Sequence, residues 1–162
     1  MKKALLFLLI ILPVYLGLSL YYLDKAYFLS PVKYNGIKLL RSDPRGDGFF
    51  GAKRNGYRAH EGVDLFAKIN TPVLASRSGI VTEAGKENGY GNYVLIRHPH
   101  NFTTIYAHLF KIYVRPNQLV CQGQVIGSVG KSGNANYSDI QPHLHFEIRL
   151  IGMAQDPLQY LD

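Results

Sequence analysis

Beyond residue 70 the chain runs in short blocks of apolar and polar positions, interrupted every few residues by Gly, Asn or Pro. Val73-Leu74-Ala75, Gly79-Ile80-Val81-Thr82, Tyr93-Val94-Leu95-Ile96-Arg97, Phe102-Thr103-Thr104-Ile105-Tyr106, Val125-Ile126-Gly127-Ser128-Val129 and His145-Phe146-Glu147-Ile148 each predict a strand, being rich in β-branched and aromatic residues. Asn88-Gly89-Tyr90-Gly91-Asn92, His98-Pro99-His100-Asn101 and Lys131-Ser132-Gly133-Asn134 carry turn chemistry. No stretch after residue 25 combines a 3.6-residue apolar period with helix caps. The pattern predicts a mainly β domain, an antiparallel sheet with little helix.

A different pattern opens the chain. Ala4 to Leu23 is apolar throughout and follows Met1-Lys2-Lys3. As a helix its length matches the hydrocarbon core of a bilayer, and no polar face interrupts it as in a helix packed on a core. A cleaved signal peptide has a shorter apolar region and then a small-x-small site. Here the run ends in Tyr21-Tyr22-Leu23-Asp24-Lys25, with interfacial tyrosines, no such site and no lipobox cysteine. Residues 1–25 therefore read as an N-terminal membrane anchor in preference to a signal segment, 26–44 as a connector and 45–162 as the working domain. Either way the domain is exported. The expected location is the cell envelope, anchored in the inner (cytoplasmic) membrane with the domain on the outer side.

Composition narrows the function classes. A chain of 162 residues builds one domain with a real core. The single Cys121 excludes an internal disulfide and any Cys-based zinc knuckle, and reads as a small packed hydrophobe. The net charge of +7 and pI near 9.5 favour polyanions. The basic residues are scattered, however, with no Lys/Arg run interleaved with aromatics, so nucleic acid is not an expected partner. An anionic wall or membrane polymer fits better.

The chemistry-bearing residues are histidines. His60-Glu61-Gly62-Val63-Asp64 and His143-Leu144-His145 hold three of the chain's six histidines and, in Asp64, a well-placed carboxylate. In extended chain alternate side chains share a face, so His143 pairs with His145 and His60 with Asp64. Two such segments facing across a groove assemble imidazoles and one carboxylate, the set that binds a catalytic zinc and leaves a position open. The alternative, a helical H-E-x-x-H-like arrangement with Glu61 as base, is disfavoured. Gly62 and Val63 are poor helix formers, and Arg54-Asn55-Gly56-Tyr57 reads as a turn. His108, at the end of a predicted strand, reads on its own as structural, and the turn histidines His98 and His100 do too.

Taken together these residues resemble the lysostaphin-type (LytM-like) zinc endopeptidases that cut peptidoglycan cross-links. The resemblance runs from about Arg45 to the C-terminus. It is carried by His60-Glu61-Gly62-Val63-Asp64-Leu65, Gly89-Tyr90-Gly91-Asn92, Tyr106-Ala107-His108-Leu109, Gly123-Gln124-Val125-Ile126-Gly127, Pro142-His143-Leu144-His145-Phe146-Glu147 and Asp156-Pro157-Leu158, in the family's order. It implies that His60, Asp64 and His145 hold Zn2+, and that His108 and His143 are the paired non-ligand histidines of catalysis, assisting a zinc-bound water as nucleophile. Peptide cross-links of peptidoglycan are the implied substrate. The departure lies at Asn134 to Gln141, where the family has a short Thr/Ser-Gly-containing approach to the His-x-His. A catalytically silent wall-binding or hydrolase-activating module of the same fold is the competing reading.

Overall fold

The computed structural model describes Asp24 and residues 27–36, 38–53 and 58–161. The apolar run of residues 4–23, expected to anchor the chain, and the expected turn at residues 54–57 lie outside the described residues. Among the described residues no helix is long and apolar enough to cross a membrane.

The domain is almost entirely antiparallel β. In chain order the strands are β1 (Ser42–Asp43), β2 (Gly46–Asp47), β3 (Val63–Phe66), β4 (Pro72–Leu74), β5 (Gly79–Glu87), β6 (Gly91–Arg97), β7 (Phe102–Ile112), β8 (Leu119–Val120), β9 (Val125–Val129), β10 (His143–Leu150) and β11 (Met153–Gln155). Only three short 3₁₀ turns, at Pro99–Asn101, Gly133–Ala135 and Pro157–Gln159, interrupt the strands described. The main sheet runs β11-β10-β7-β6-β5-β8, with β3 beside β10 and β9 joining β7 to β4, while β1 and β2 form a separate hairpin. All six expected strands are present. β5 continues through Glu83-Ala84-Gly85-Lys86-Glu87, a segment of low strand propensity, because β6 pairs with it as far as Glu87.

β10 shows how the sheet divides its two faces. Leu144, Phe146 and Ile148 are fully buried in the apolar core with Val63, Leu65 and Leu109. Phe146 lies opposite Tyr106 on β7, with ring centroids 5.2 Å apart. Burying a side chain of that size contributes about 2–3 kcal/mol. The intervening His143, His145 and Glu147 project to the other face and are buried there as polar groups. Part of the span expected to be a connector packs against the same body. Phe28 is fully buried among Phe102, Tyr160 and His98 through edge-on ring contacts, and the Leu29 N–H donates to the Ser76 carbonyl at 2.8 Å.

Candidate metal centre

Strand register brings the two halves of the site together. β3 pairs with β10 so that Asp64 lies opposite His145. Directly opposed residues share a sheet face, so carboxylate and imidazole meet without help from a loop. The approach of chain at the start of β3 to β10 needs a glycine: a Cβ on Gly62 would stand 2.4 Å from the Phe146 carbonyl oxygen. His60, just ahead of β3, turns to the same side as Asp64. Glu61 turns away and receives the Arg149 guanidinium at 2.7 Å. The segment runs into β3 without a helical turn, so the helical H-E-x-x-H arrangement does not form.

His108 reaches the site by a break in its strand. On β7 it is Ala107 that lies opposite His145, so in a regular strand residue 108 would face the other side. Between Asn92 and Val94 on β6, however, the register jumps from Leu109 to Tyr106 on β7, one extra residue on β7. His108 takes a left-handed φ of 60° there, and its N–H donates to the Tyr90 carbonyl at 2.8 Å. This bulge turns the ring toward the groove, 5.0 Å from His143 and 5.7 Å from His145 between centroids.

Three donor atoms converge. His60 Nε2 and His145 Nδ1 are 3.0 Å apart, and they lie 3.1 and 2.9 Å from Asp64 Oδ1. Zinc bonds of about 2.0–2.1 Å at tetrahedral angles separate ligand atoms by roughly 3.3 Å. The observed triangle fits that requirement. The partners behind the rings also fit it. His60 Nδ1–H donates to the Phe49 carbonyl at 2.8 Å, which leaves the Nε2 lone pair pointing inward. His145 Nε2–H donates to Glu147 Oε1 at 2.9 Å, which leaves Nδ1 for a metal. The donor set therefore suits zinc in tautomer as well as spacing.

His108 and His143 stand beside the triangle. Each commits Nδ1–H to a main-chain carbonyl, His108 to Ser132 at 2.9 Å and His143 to Gln141 at 2.7 Å. Each neutral ring is left with a lone pair on Nε2, and that of His143 faces Asp64 Oδ1 at 3.8 Å. Burial pushes His108 down to about 3 and lowers His143 as well, so both rings are neutral near pH 7. The opposite holds behind them. Burial pushes the Asp64 carboxyl up, but the contacts of its Oδ1 with His145 and His60, and the proton that His145 carries when no metal is bound, hold it well below the usual carboxylate range. Burial lowers His145, yet Asp64 and Glu147 on either side raise it to about 9. A ring flanked by two carboxylates favours positive charge, and a metal ion and a proton compete for the same Nδ1. The five residues line a groove of about 840 Å³.

Residues 58–157 match the profile of Peptidase family M23. The chain belongs to this family. Its M23 domain is 37% identical over 100 residues to the peptidoglycan DD-endopeptidase ShyC of Vibrio cholerae, an alignment covering 62% of this chain and 22% of that protein. A zinc-containing peptidase from Vibrio cholerae superposes with a TM-score of 0.67 at 31% identity, over 82% of this chain and 39% of that one. The catalytic domain of lysostaphin from Staphylococcus simulans superposes with a TM-score of 0.61 at 35% identity, over 69% of this chain and 87% of that one. The chain spans between 19% and 39% of the length of the curated relatives it matches.

Several residues that shape the M23 site were not singled out from the sequence. Glu147 accepts from His145, from the Tyr90 hydroxyl at 2.6 Å and from Arg149 Nε at 2.7 Å. Burial raises its carboxyl, but the His145 hydrogen bond and charge bring it down to about 2. Its position two residues beyond His145 on a strand was the available signal, since period two puts it on the same face. Arg41, from the expected connector, donates through Nε to Asp64 Oδ2 at 3.1 Å, and no local pattern announces it. The turn histidines sit elsewhere. His98 is buried between the Ser78 carbonyl (2.9 Å, from Nδ1–H) and the Thr104 hydroxyl (2.7 Å), while His100 is exposed. Tyr106 packs fully buried and accepts the Ser76 N–H at 2.8 Å. Gly91 and Gly133 pack back to back. A Cβ on Gly133 would lie 2.3 Å from the Gly91 nitrogen, and this contact seats the loop whose Ser132 carbonyl holds His108.

Proposed function

We propose that this M23 domain is a zinc-dependent endopeptidase that hydrolyses peptide bonds in the cross-links of bacterial peptidoglycan. The observation that carries the reading is the convergence of His60 Nε2, Asp64 Oδ1 and His145 Nδ1 within 3.1 Å of one another, beside two neutral histidines. Bound there, zinc supplies a Lewis acid and makes water acidic enough to ionise near neutral pH.

The chain's own residues do the rest. Phe49 and Glu147 hold the two ligand rings in the orientation that turns His60 Nε2 and His145 Nδ1 inward, so neither ring has to turn, and metal has only to displace the proton on His145 Nδ1. His108 and His143, held through Nδ1–H by main-chain carbonyls, present Nε2 to the groove. One takes the proton of the attacking water and returns it to the leaving amine. Until it does so, that ring carries the proton at Nε2 as an imidazolium and steadies the oxygen that gains charge as the carbonyl becomes tetrahedral. The other ring accepts a hydrogen bond at its Nε2 from the water and orients it. The names of the relatives and the net charge of +7 support an anionic wall polymer as substrate. We place the domain in the cell envelope, held to the outer face of the cytoplasmic membrane by residues 1–25, with 26–44 leading into the enzyme at 45–162. A full-length protein that leaves the membrane fraction on high-salt wash refutes the anchoring.

The test of activity uses purified protein on defined cross-linked muropeptides, with bound zinc measured in parallel. One zinc per chain and new amino termini, identified by mass, are expected. Stoichiometric zinc with no cleavage of any cross-link would favour the silent wall-binding module instead.

A further inference from the structure

The hairpin formed by β1 and β2 lies ahead of the region that defines the family, which begins at residue 58. Taking the zinc site above as given, we propose that this hairpin is a working part of the metal centre and that Arg41 is a positioning residue, holding Asp64 for ligation through one oxygen.

Asp64 is gripped by Arg41 and Gly48, the residues that flank the hairpin, from both main chain and side chain. Its N–H donates to the Gly48 carbonyl at 2.8 Å, and its carbonyl accepts the Arg41 N–H at 2.8 Å. Arg41 Nε–H then donates to Asp64 Oδ2 at 3.1 Å. Oδ1 is the oxygen that faces His60 and His145. A guanidinium on Oδ2 fixes the carboxylate plane and disfavours rotation or two-oxygen binding. Arg41 is only 3% exposed, so it cannot swing aside into solvent.

Its charge is met by Asp43, whose Oδ1 accepts Arg41 Nη1–H at 2.6 Å. Asp43 Oδ2 in turn accepts the Gln141 N–H at 3.0 Å, and the Gln141 carbonyl is the acceptor for His143 Nδ1–H. An unbroken line of hydrogen bonds thus runs from a metal ligand, through Arg41 and Asp43, to one of the two non-ligand histidines. Arg45 extends the bridge, pairing with Asp139 at 2.8 Å and lying 4.4 Å over the Tyr137 ring. The hairpin therefore braces the 134–141 loop.

The test measures zinc affinity of the full-length protein by competition with a chromophoric chelator, alongside circular dichroism and melting of the metal-free protein. Wild-type protein that binds no zinc defeats the site itself, separately from this inference. With wild-type binding established, Arg41→Met is expected to bind zinc about 10- to 100-fold more weakly while keeping the wild-type spectrum. Arg41→Lys keeps a cation beside Asp43 but lacks the planar fork, and is expected to lose about tenfold. Asp43→Asn is expected to lose less affinity but to turn over more slowly at saturating zinc, because His143 loses its brace. A folded Arg41→Met with wild-type affinity overturns the proposal, as does a lower melting temperature with no change in affinity. If Arg41→Met does not fold, wild-type affinity in Arg41→Lys is decisive against it.

Discussion

Glu147→Gln probes the partner behind His145, one of the proposed zinc ligands, while changing little volume. The wild-type carboxylate accepts three hydrogen bonds, from His145 Nε2, the Tyr90 hydroxyl and Arg149 Nε, at 2.9, 2.6 and 2.7 Å. An amide has one oxygen, so its NH2 group must face either Arg149 or His145. Facing Arg149 it sets donor against donor. Facing His145 it donates to Nε2, which moves the ring hydrogen to Nδ1, the atom that must bind metal. A lost hydrogen bond to a charged group is worth about 1.5–3 kcal/mol. Outer partners of metal ligands are worth about 10- to 100-fold in affinity, or ~1.4–2.8 kcal/mol. The two ranges agree, so a zinc dissociation constant raised about 10- to 100-fold is expected. Proton competition acts in the opposite direction. Glu147 helps raise His145 to about 9, and its loss makes the metal-free ring easier to deprotonate. The apparent deficit should therefore be smaller at pH 7 than above pH 9, where wild type has also shed that proton. Competition titrations with a chelator of known affinity at both pH values give the comparison. A variant that matches wild type above pH 9 would refute the orienting role of Glu147.

His108→Ala and His143→Ala should each lower turnover by about a hundredfold or more while one zinc stays bound, read by steady-state kinetics with metal analysis; loss of zinc from either contradicts its placement outside the ligand triangle. His98 is buried and lowered to about 4 from 6.5 by desolvation, so its neutral form stabilises the fold. That contribution is complete above pH 6.5, is lost as pH falls through 4, and amounts there to roughly 3 kcal/mol. Urea unfolding of zinc-free wild type and His98→Asn at pH 7 and pH 4 should show a shallower acid loss in the variant, and equal slopes would count against it. Gly133→Ala should destabilise by roughly 2–5 kcal/mol, since its φ is +63° and the new Cβ meets Gly91 backbone at 2.3 Å. A melting temperature within a degree or two of wild type would show that the Gly91–Gly133 contact yields freely.

What the chain determines by itself is periodicity. Alternation and turn residues are local properties, because side-chain direction in a strand depends only on neighbouring dihedrals. They were enough for the antiparallel β class, for the strands around Val94, Ile105 and Ile126, and for a shared face of His143 and His145. The same alternation contained Glu147, unread. Three features of the site belong to the tertiary structure. The register that sets Asp64 against His145 is a choice between two strands almost eighty residues apart along the chain. The left-handed His108 is held by the mismatch of β7 against β6, and no residue around it favours that conformation alone. Arg41 meets Asp64 through a hairpin whose two-residue strands carry no periodic signal at all. Local sequence sets which way each side chain points along its own strand; which strands lie together depends on burying the common core, and only that placement turns scattered histidines and carboxylates into one site.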